Sequence, residues 1–264
     1  MRLAFLARDG VIGANQMELV GIAALGLVSG LMIGCIGIGG VILVPALVFL
    51  GGIPIKIGIP AAMLAYVLSG LVATFVFARN KSIHWGMAAW LCAGAAPTAF
   101  AGAWAVSVVN ARILEVTLGL LTLLSGMNAL RGRHASHETH NVSTPTLVGV
   151  GAGTGFLSSL SGTGGPLVLV PILIALKLPV LMAIGLSQAI QLPVAIAATI
   201  GNVLYGELDF KLAGILAASL TIGSWYGAKL AHSLPRERLR QIVSVALVVI
   251  GLYILGNVAL RAFR

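Results

Sequence analysis

Apolar and polar positions along this chain fall into long blocks rather than alternating. The first apolar run covers about Met17 to Ile36 and breaks at a glycine cluster, Gly37, Gly39 and Gly40; a shorter run from Val41 to Leu50 follows. Longer runs extend from about Ile57 to Ala78, Gly86 to Val109 and Ile113 to Leu130. After the polar stretch Arg131–Pro145 the same order returns: Thr146 to Leu160, a second glycine cluster at Gly162, Gly164 and Gly165, and a short run from Pro166 to Leu176. Long runs then follow at about Val180–Tyr205, Phe210–Leu230 and Leu239–Leu260. A bilayer crossing takes about 20 apolar residues, and six runs reach that length, three in each half. Backbone polar groups cannot stay unpaired in lipid, so such runs are helices. The short alternating segments of a membrane β-barrel are absent. The pattern predicts an all-α polytopic membrane protein.

The two halves match at an offset of about 125 residues. GLVSG (Gly26–Gly30) faces GAGTG (Gly151–Gly155), GIGG (Gly37–Gly40) faces GTGG (Gly162–Gly165), and Pro45 faces Pro171 after a one-residue slip. Pro54 faces Pro179, Gly102-Ala103 faces Gly227-Ala228, and the polar turns Ser82–Trp85 and Glu207–Phe210 coincide. The predicted organisation is an N-terminal segment 1–16, a first transmembrane repeat 17–130, a polar linker 131–145 and a second repeat 146–264. The stretch before each proline-rich turn is too long for one crossing and too broken for two. It reads as a re-entrant hairpin with the glycine cluster at its tip. Each half then crosses three times and the repeats are inverted, the preferred arrangement, as in transporters with discontinuous helices. The alternative, one broken span per half, gives four crossings and a parallel repeat. Lys and Arg are nearly balanced between the loops on the two sides, so charge fixes no orientation. The apolar patch within residues 1–16 is too short for a signal-peptide core, and Met17 is an alternative start.

Composition agrees with the pattern. Hydrophobic residues make up 59% of the 264 and charged residues 9%, where a soluble domain has roughly 25% charged. The net charge of +9 invites a nucleic-acid reading. The Lys and Arg residues sit in short breaks between apolar runs, however, without the interleaved aromatics that base stacking needs. Cys35 and Cys92 both lie in apolar stretches and read as small hydrophobes. His134, His137 and His140 have metal-compatible spacing, but in a polar loop without a rigid shell they read as solvated. The Asn141-Val142-Ser143 sequon reads as chance. No cofactor and no metal is expected.

The glycine clusters carry the main functional signal. Glycine at a helix break permits φ > 0 and close backbone approach. The segments after each cluster look like half-helix starts, and Pro166 suits a first helical position. A helix start offers free N–H groups and partial positive charge, so two of them brought together would form an anion site. The competing reading is small-residue packing between helices. Ser161 and Thr163 flank Gly162, whereas Ile36 and Ile38 flank Gly37, so the second half is the more polar. Gln188 and Gln191, three apart, share one helical face; each faces either substrate or another helix. Ser187 adjoins them and Asn202 lies near the span's end. Glu18, Glu115, Glu207, Asp209 and Glu237 all lie near span ends, so the intramembrane acid of a proton relay is missing. That points to a uniporter, or to a proton carried by the substrate itself. Lys229 falls late in a span, where it can snorkel. No G-x-S-x-G elbow and no mid-span base stands ready to activate Ser161, so no enzyme activity is expected.

GLVSGLMIGCIGIGGVILVPALV and its second copy GAGTGFLSSLSGTGGPLVLVPILI resemble the signature of the sulfite exporter TauE/SafE family of membrane permeases. The later turns GAWAVSVVNARIL and GAKLAHSLPRERL are similar to that family too, so the resemblance runs from about Met17 to Asn257. It implies a multi-pass carrier of the prokaryotic cytoplasmic (inner) membrane that exports sulfite, sulfonates or related small organosulfur anions; the alternatives are a carrier of another small organic anion and a membrane assembly subunit with no flux of its own. On this resemblance Gly37, Gly39, Gly40, Gly162, Gly164 and Gly165 line the site, with Ser161 and Thr163 as donors. Cys35 and Ile38 depart from a polar first cluster and imply a lopsided pocket. The expected partners are a small anionic substrate and the bilayer, not nucleic acid. The small-residue faces are compatible with a homodimer without requiring one.

Overall fold

The computed structural model describes residues 16–36, 40–130, 142–230 and 236–262. Among them the chain is all-helical. The helices are α1 (Gln16–Ile36), α2 (Gly40–Phe49), α3 (Ile55–Arg79), α4 (Trp85–Val108) and α5 (Ala111–Leu130), then α6 (Thr144–Ser161), α7 (Pro166–Ala175), α8 (Val180–Tyr205), α9 (Phe210–Leu230) and α10 (Arg236–Ala262). The linker histidines, the Asn141 sequon residue and two of the candidate glycines, Gly37 and Gly39, lie outside the described residues.

Local chemistry sets the helix ends. His84 Nδ1 accepts the Met87 N–H at 3.4 Å to open α4. Asp209 Oδ1 does the same for α9, accepting from Lys211 N at 2.9 Å and Leu212 N at 3.0 Å, the usual side-chain cap of orphan donors. Gly162, at φ 72, closes α6 in the left-handed conformation that ends many helices.

The first helix of each half packs along the fourth helix of the other: α1 on α9, and α6 on α4. Small residues allow this. Gly26 lies against Ser219, Gly30 against Leu220 and Gly34 against Ser224 and Ala228, so α1 and α9 run the same way. Gly94 lies against Val148 and Gly102 against Phe156, and Thr98 Oγ1 donates to the Ala152 carbonyl at 2.8 Å, so α4 and α6 are also parallel. The long helices α3 and α8 pack in opposite senses. Gly70 meets Gln191, while Thr74 Oγ1, one turn further along α3, donates to the Gln188 carbonyl at 2.8 Å. Opposite senses also hold for α5 and α10, where Gly119 meets Ile254 and Leu255 while Leu123 meets Gly251.

The radial distribution is that of a protein in lipid. Phe75, Leu71, Leu124, Ile200, Trp225 and Val249 stand on the outer surface, while Ser69, Ser158, Gln188 and Asn202 are wholly buried. An apolar exterior of this extent would drive aggregation in water. Three described stretches are long and apolar enough to cross a membrane: Ile55–Arg79, Trp85–Val108 and Met182–Tyr205. In α9, Lys211, Ser219, Thr221, Ser224 and Lys229 dilute the apolar character. Lys229 Nζ lies 5.0 Å from the Trp225 ring centroid, a cation–π contact.

A Cβ added at Gly151 would run into the Leu91 carbonyl, and one at Gly227 into the Leu31 carbonyl; at Gly149 and Gly214, on the same two helices, it would meet nothing within 4 Å. Gly151→Leu and Gly227→Leu are therefore expected to destabilise by about 1–3 kcal/mol or more through overpacking, read as a lower melting temperature in detergent. Gly149→Leu and Gly214→Leu should leave it unchanged.

Candidate functional site

The two glycine clusters precede two short helices of equal length, α2 and α7, each of 10 residues. At about 1.5 Å per residue neither can cross a bilayer. Their beginnings meet. Val41 and Leu167, each in the first turn, are both buried in one small apolar cluster with Met32, Ile42 and Leu121 packed against it. Gly40 sits so close to the Thr163 carbonyl that a side chain there could not fit. The connection from α6 to α7 needs glycine for a conformational reason as well: Gly162, Gly164 and Gly165 have φ of 72, 78 and 113. Pro166 then starts α7 with the one residue that lacks an N–H to orphan.

The long helices α3 and α8 supply the side chains around this meeting point. Tyr66 of α3 is fully buried; its hydroxyl donates to the Gly40 carbonyl at 3.1 Å, and its ring faces Gly164. Gln191 of α8 lies beside Gly165 and donates through Nε2 to Ser69 Oγ at 3.4 Å. One turn earlier, Gln188 Nε2 donates to the Ile33 carbonyl at 3.0 Å, near the end of α1. The carbonyl oxygens of both glutamines are buried without a partner among the described residues.

Of the residues singled out in the sequence, Gly40, Thr163, Gly164, Gly165, Gln188 and Gln191 come together between α3 and α8. Ser161 is adjacent, but its hydroxyl is engaged, donating to the Leu157 carbonyl at 2.7 Å and lying 3.0 Å from Thr163 Oγ1. Gly162 faces Val44 and Ile59 and so lies on the apolar side of the turn. Ser187 is turned to the Ile184 carbonyl at 2.7 Å, and Asn202 is buried towards the far end of α8. Cys35 Sγ bonds the Gly227 carbonyl of α9 at 3.1 Å. Tyr66 and Ser69 were not singled out in the sequence. The sequence offset of about 125 residues held a signal for Tyr66, since it maps that residue onto Gln191.

Residues 22–254 match the sequence model of a family described as "Sulfite exporter TauE/SafE". This chain belongs to the TauE/SafE family. The match spans both glycine clusters and all of α3 and α8. Similar proteins include the "Probable membrane transporter protein YunE" of Bacillus subtilis, 24% identical over 89% of this chain and 96% of its own length. A probable membrane transporter protein of Methanocaldococcus jannaschii is 26% identical over 88% of this chain and 93% of its own. One from Xylella fastidiosa is 28% identical over 91% and 95% respectively. No solved structure matches the chain.

In this TauE/SafE protein the Tyr66 hydroxyl makes a single buried bond that can be removed without disturbing the ring. Tyr66→Phe is expected to cost about 1 kcal/mol, seen as a modest fall in melting temperature. Gly164→Ala should do worse. Its Cβ would stand 2.9 Å from the Tyr66 ring, at a φ that L residues rarely adopt.

Proposed function

We propose that the protein is a secondary carrier that exports small sulfur-containing oxyanions, such as sulfite or sulfonates, across a prokaryotic cytoplasmic membrane. The family and the similar proteins named as membrane transporters supply the coarse reading of a multi-pass transporter. The observation that carries the rest is the meeting of the α2 and α7 starts between α3 and α8. First-turn N–H groups of both short helices point the positive ends of their dipoles at one place, which suits an anion without a formal cation. Thr163, Gln188 and Gln191 add polar groups around it, and basic loops attract anions to the protein.

The mechanism in this reading is alternating access between two inverted repeats, each a re-entrant hairpin followed by three spanning helices. Its support is the reciprocal packing of α1 on α9 and α6 on α4, together with the opposite senses of α3 and α8. No Asp or Glu occurs in α2, α3, α4, α6, α7 or α8, so neither a cation site nor a carboxylate relay is built between them. We read the protein as a carrier and not an enzyme.

In liposomes, labelled sulfite should show saturable flux, reduced by a subset of sulfate, sulfonate and carboxylate competitors. Flux no greater than in empty liposomes, under any pH gradient, would sink the reading. A different pattern of competitors would instead move it to another small organic anion. Gly164→Leu and Gly165→Leu, both forced into left-handed backbone, should still insert but lose on the order of tenfold or more in flux; wild-type flux in both would exclude this site. Cysteines introduced at Lys81 and Glu207 should be labelled from opposite sides of the membrane, and labelling from one side would refute inversion.

A further inference from the structure

The hydrogen bonds at Gln188 fix more than its position. Its partner, the Ile33 carbonyl, can only accept, so the amide nitrogen must be the end that faces it, 3.0 Å away. The Gln188 carbonyl oxygen is thereby an acceptor by necessity and not by assignment. The residue is 0% exposed, and that oxygen has no donor among the described residues. Gln191, one turn away on the same face, meets the Ser69 hydroxyl, which can donate as well as accept, so its amide ends are not fixed in the same way. Buried acceptors left without a donor are costly and uncommon. Gln188 lies one turn along α8 from Gln191, which is against Gly165 at the start of α7, and its own amide reaches the end of α1.

A ligand seated there meets two kinds of group. The N–H groups at the helix starts want negative charge, while the Gln188 oxygen wants an O–H or N–H. A fully deprotonated dianion would satisfy the first and set lone pair against lone pair at the second. An anion that keeps a donor satisfies both. We infer that the site takes a small monoanion bearing its own hydrogen-bond donor, such as the singly protonated oxyanion, and that Gln188 Oε1 is the specificity-determining acceptor that reads that donor. The proton then crosses as part of the substrate, and no protein carboxylate has to relay it. The helices packed on α8 (α3, α4, α6 and α7) carry no charged side chain except Lys56 and Arg79 near the two ends of α3; Tyr66 and Cys92 are their other titratable groups, with Cys35 near the end of α1.

This inference rests on the anion-carrier reading above, and one experiment separates the two. Full-length protein in liposomes is assayed for sulfite flux against two competitors of equal charge and similar size, ethanesulfonate and 2-hydroxyethanesulfonate, with sulfate as the dianion. Flux is also followed at constant total sulfite as pH is varied. The expected result is flux that tracks the singly protonated form, competition at least tenfold stronger from the hydroxylated sulfonate, and little from sulfate. Equal competition by the two sulfonates, or flux that tracks the dianion, overturns the inference while leaving an anion carrier intact. Absence of any saturable flux overturns both. Gln188→Met keeps the length of the side chain and removes the acceptor; it should flatten the preference between the two sulfonates, and an undiminished preference removes Gln188 from the role. If that variant does not insert, the wild-type comparison decides alone.

Discussion

A helix that ends inside a bundle leaves carbonyls and N–H groups where water cannot reach them, and much of this structure is arranged around such ends. Near the end of α1, an amide from α8 reaches the Ile33 carbonyl. At the start of α2, where the unpaired groups are N–H and not C=O, a phenol from α3 adds a further bond to the Gly40 carbonyl. At the end of α6 the chain helps itself: Thr163 N joins Ser158 O at 3.1 Å across the left-handed Gly162. Side chains able to span such gaps must come from helices that pass through the middle of the bundle, which is where α3 and α8 lie. The polar interior and apolar exterior are two sides of the same requirement.

Close packing answers a second constraint. With lipid tails as apolar as leucine, helices gain little by hiding apolar surface from each other and must instead fit closely. The glycines of α1, α4, α6 and α9 remove the side chains that would hold backbones apart, and all four small-residue faces are used within the chain. The GLVSG and GAGTG segments are therefore packing surfaces. The glycines of the second cluster stand apart from this role, because their positive φ angles require glycine whatever the space around them.

Much of this was legible in the sequence. The block pattern gave helices and the breaks at the glycine clusters, and the polar residues on one face of a span pointed to Gln188 and Gln191. What escaped was tertiary. Tyr66 looks like an ordinary aromatic in an apolar run until its hydroxyl is seen against a carbonyl 26 residues earlier in the chain. Ser161 looked like a free donor, but its bond to Leu157 is made within its own helix and leaves no trace in spacing. Which helix pairs with which was also hidden, since glycine periodicity marks a face as close-packing without naming the face opposite.

The exchange of first helices between the halves has a consequence for how the protein is made. During synthesis α1 emerges and enters the membrane long before its counterpart α9 exists, and the two glycine faces can close only when nearly the whole chain is in place. Until then α1 keeps a groove of bare backbone open to lipid, and α2 has no α7 to abut. The opposite order applies to α6, which finds α4 already waiting. The second half thus docks onto the first as it appears, while the first half is completed by the second, and a chain halted at the linker would hold the parts of a fold without its closure.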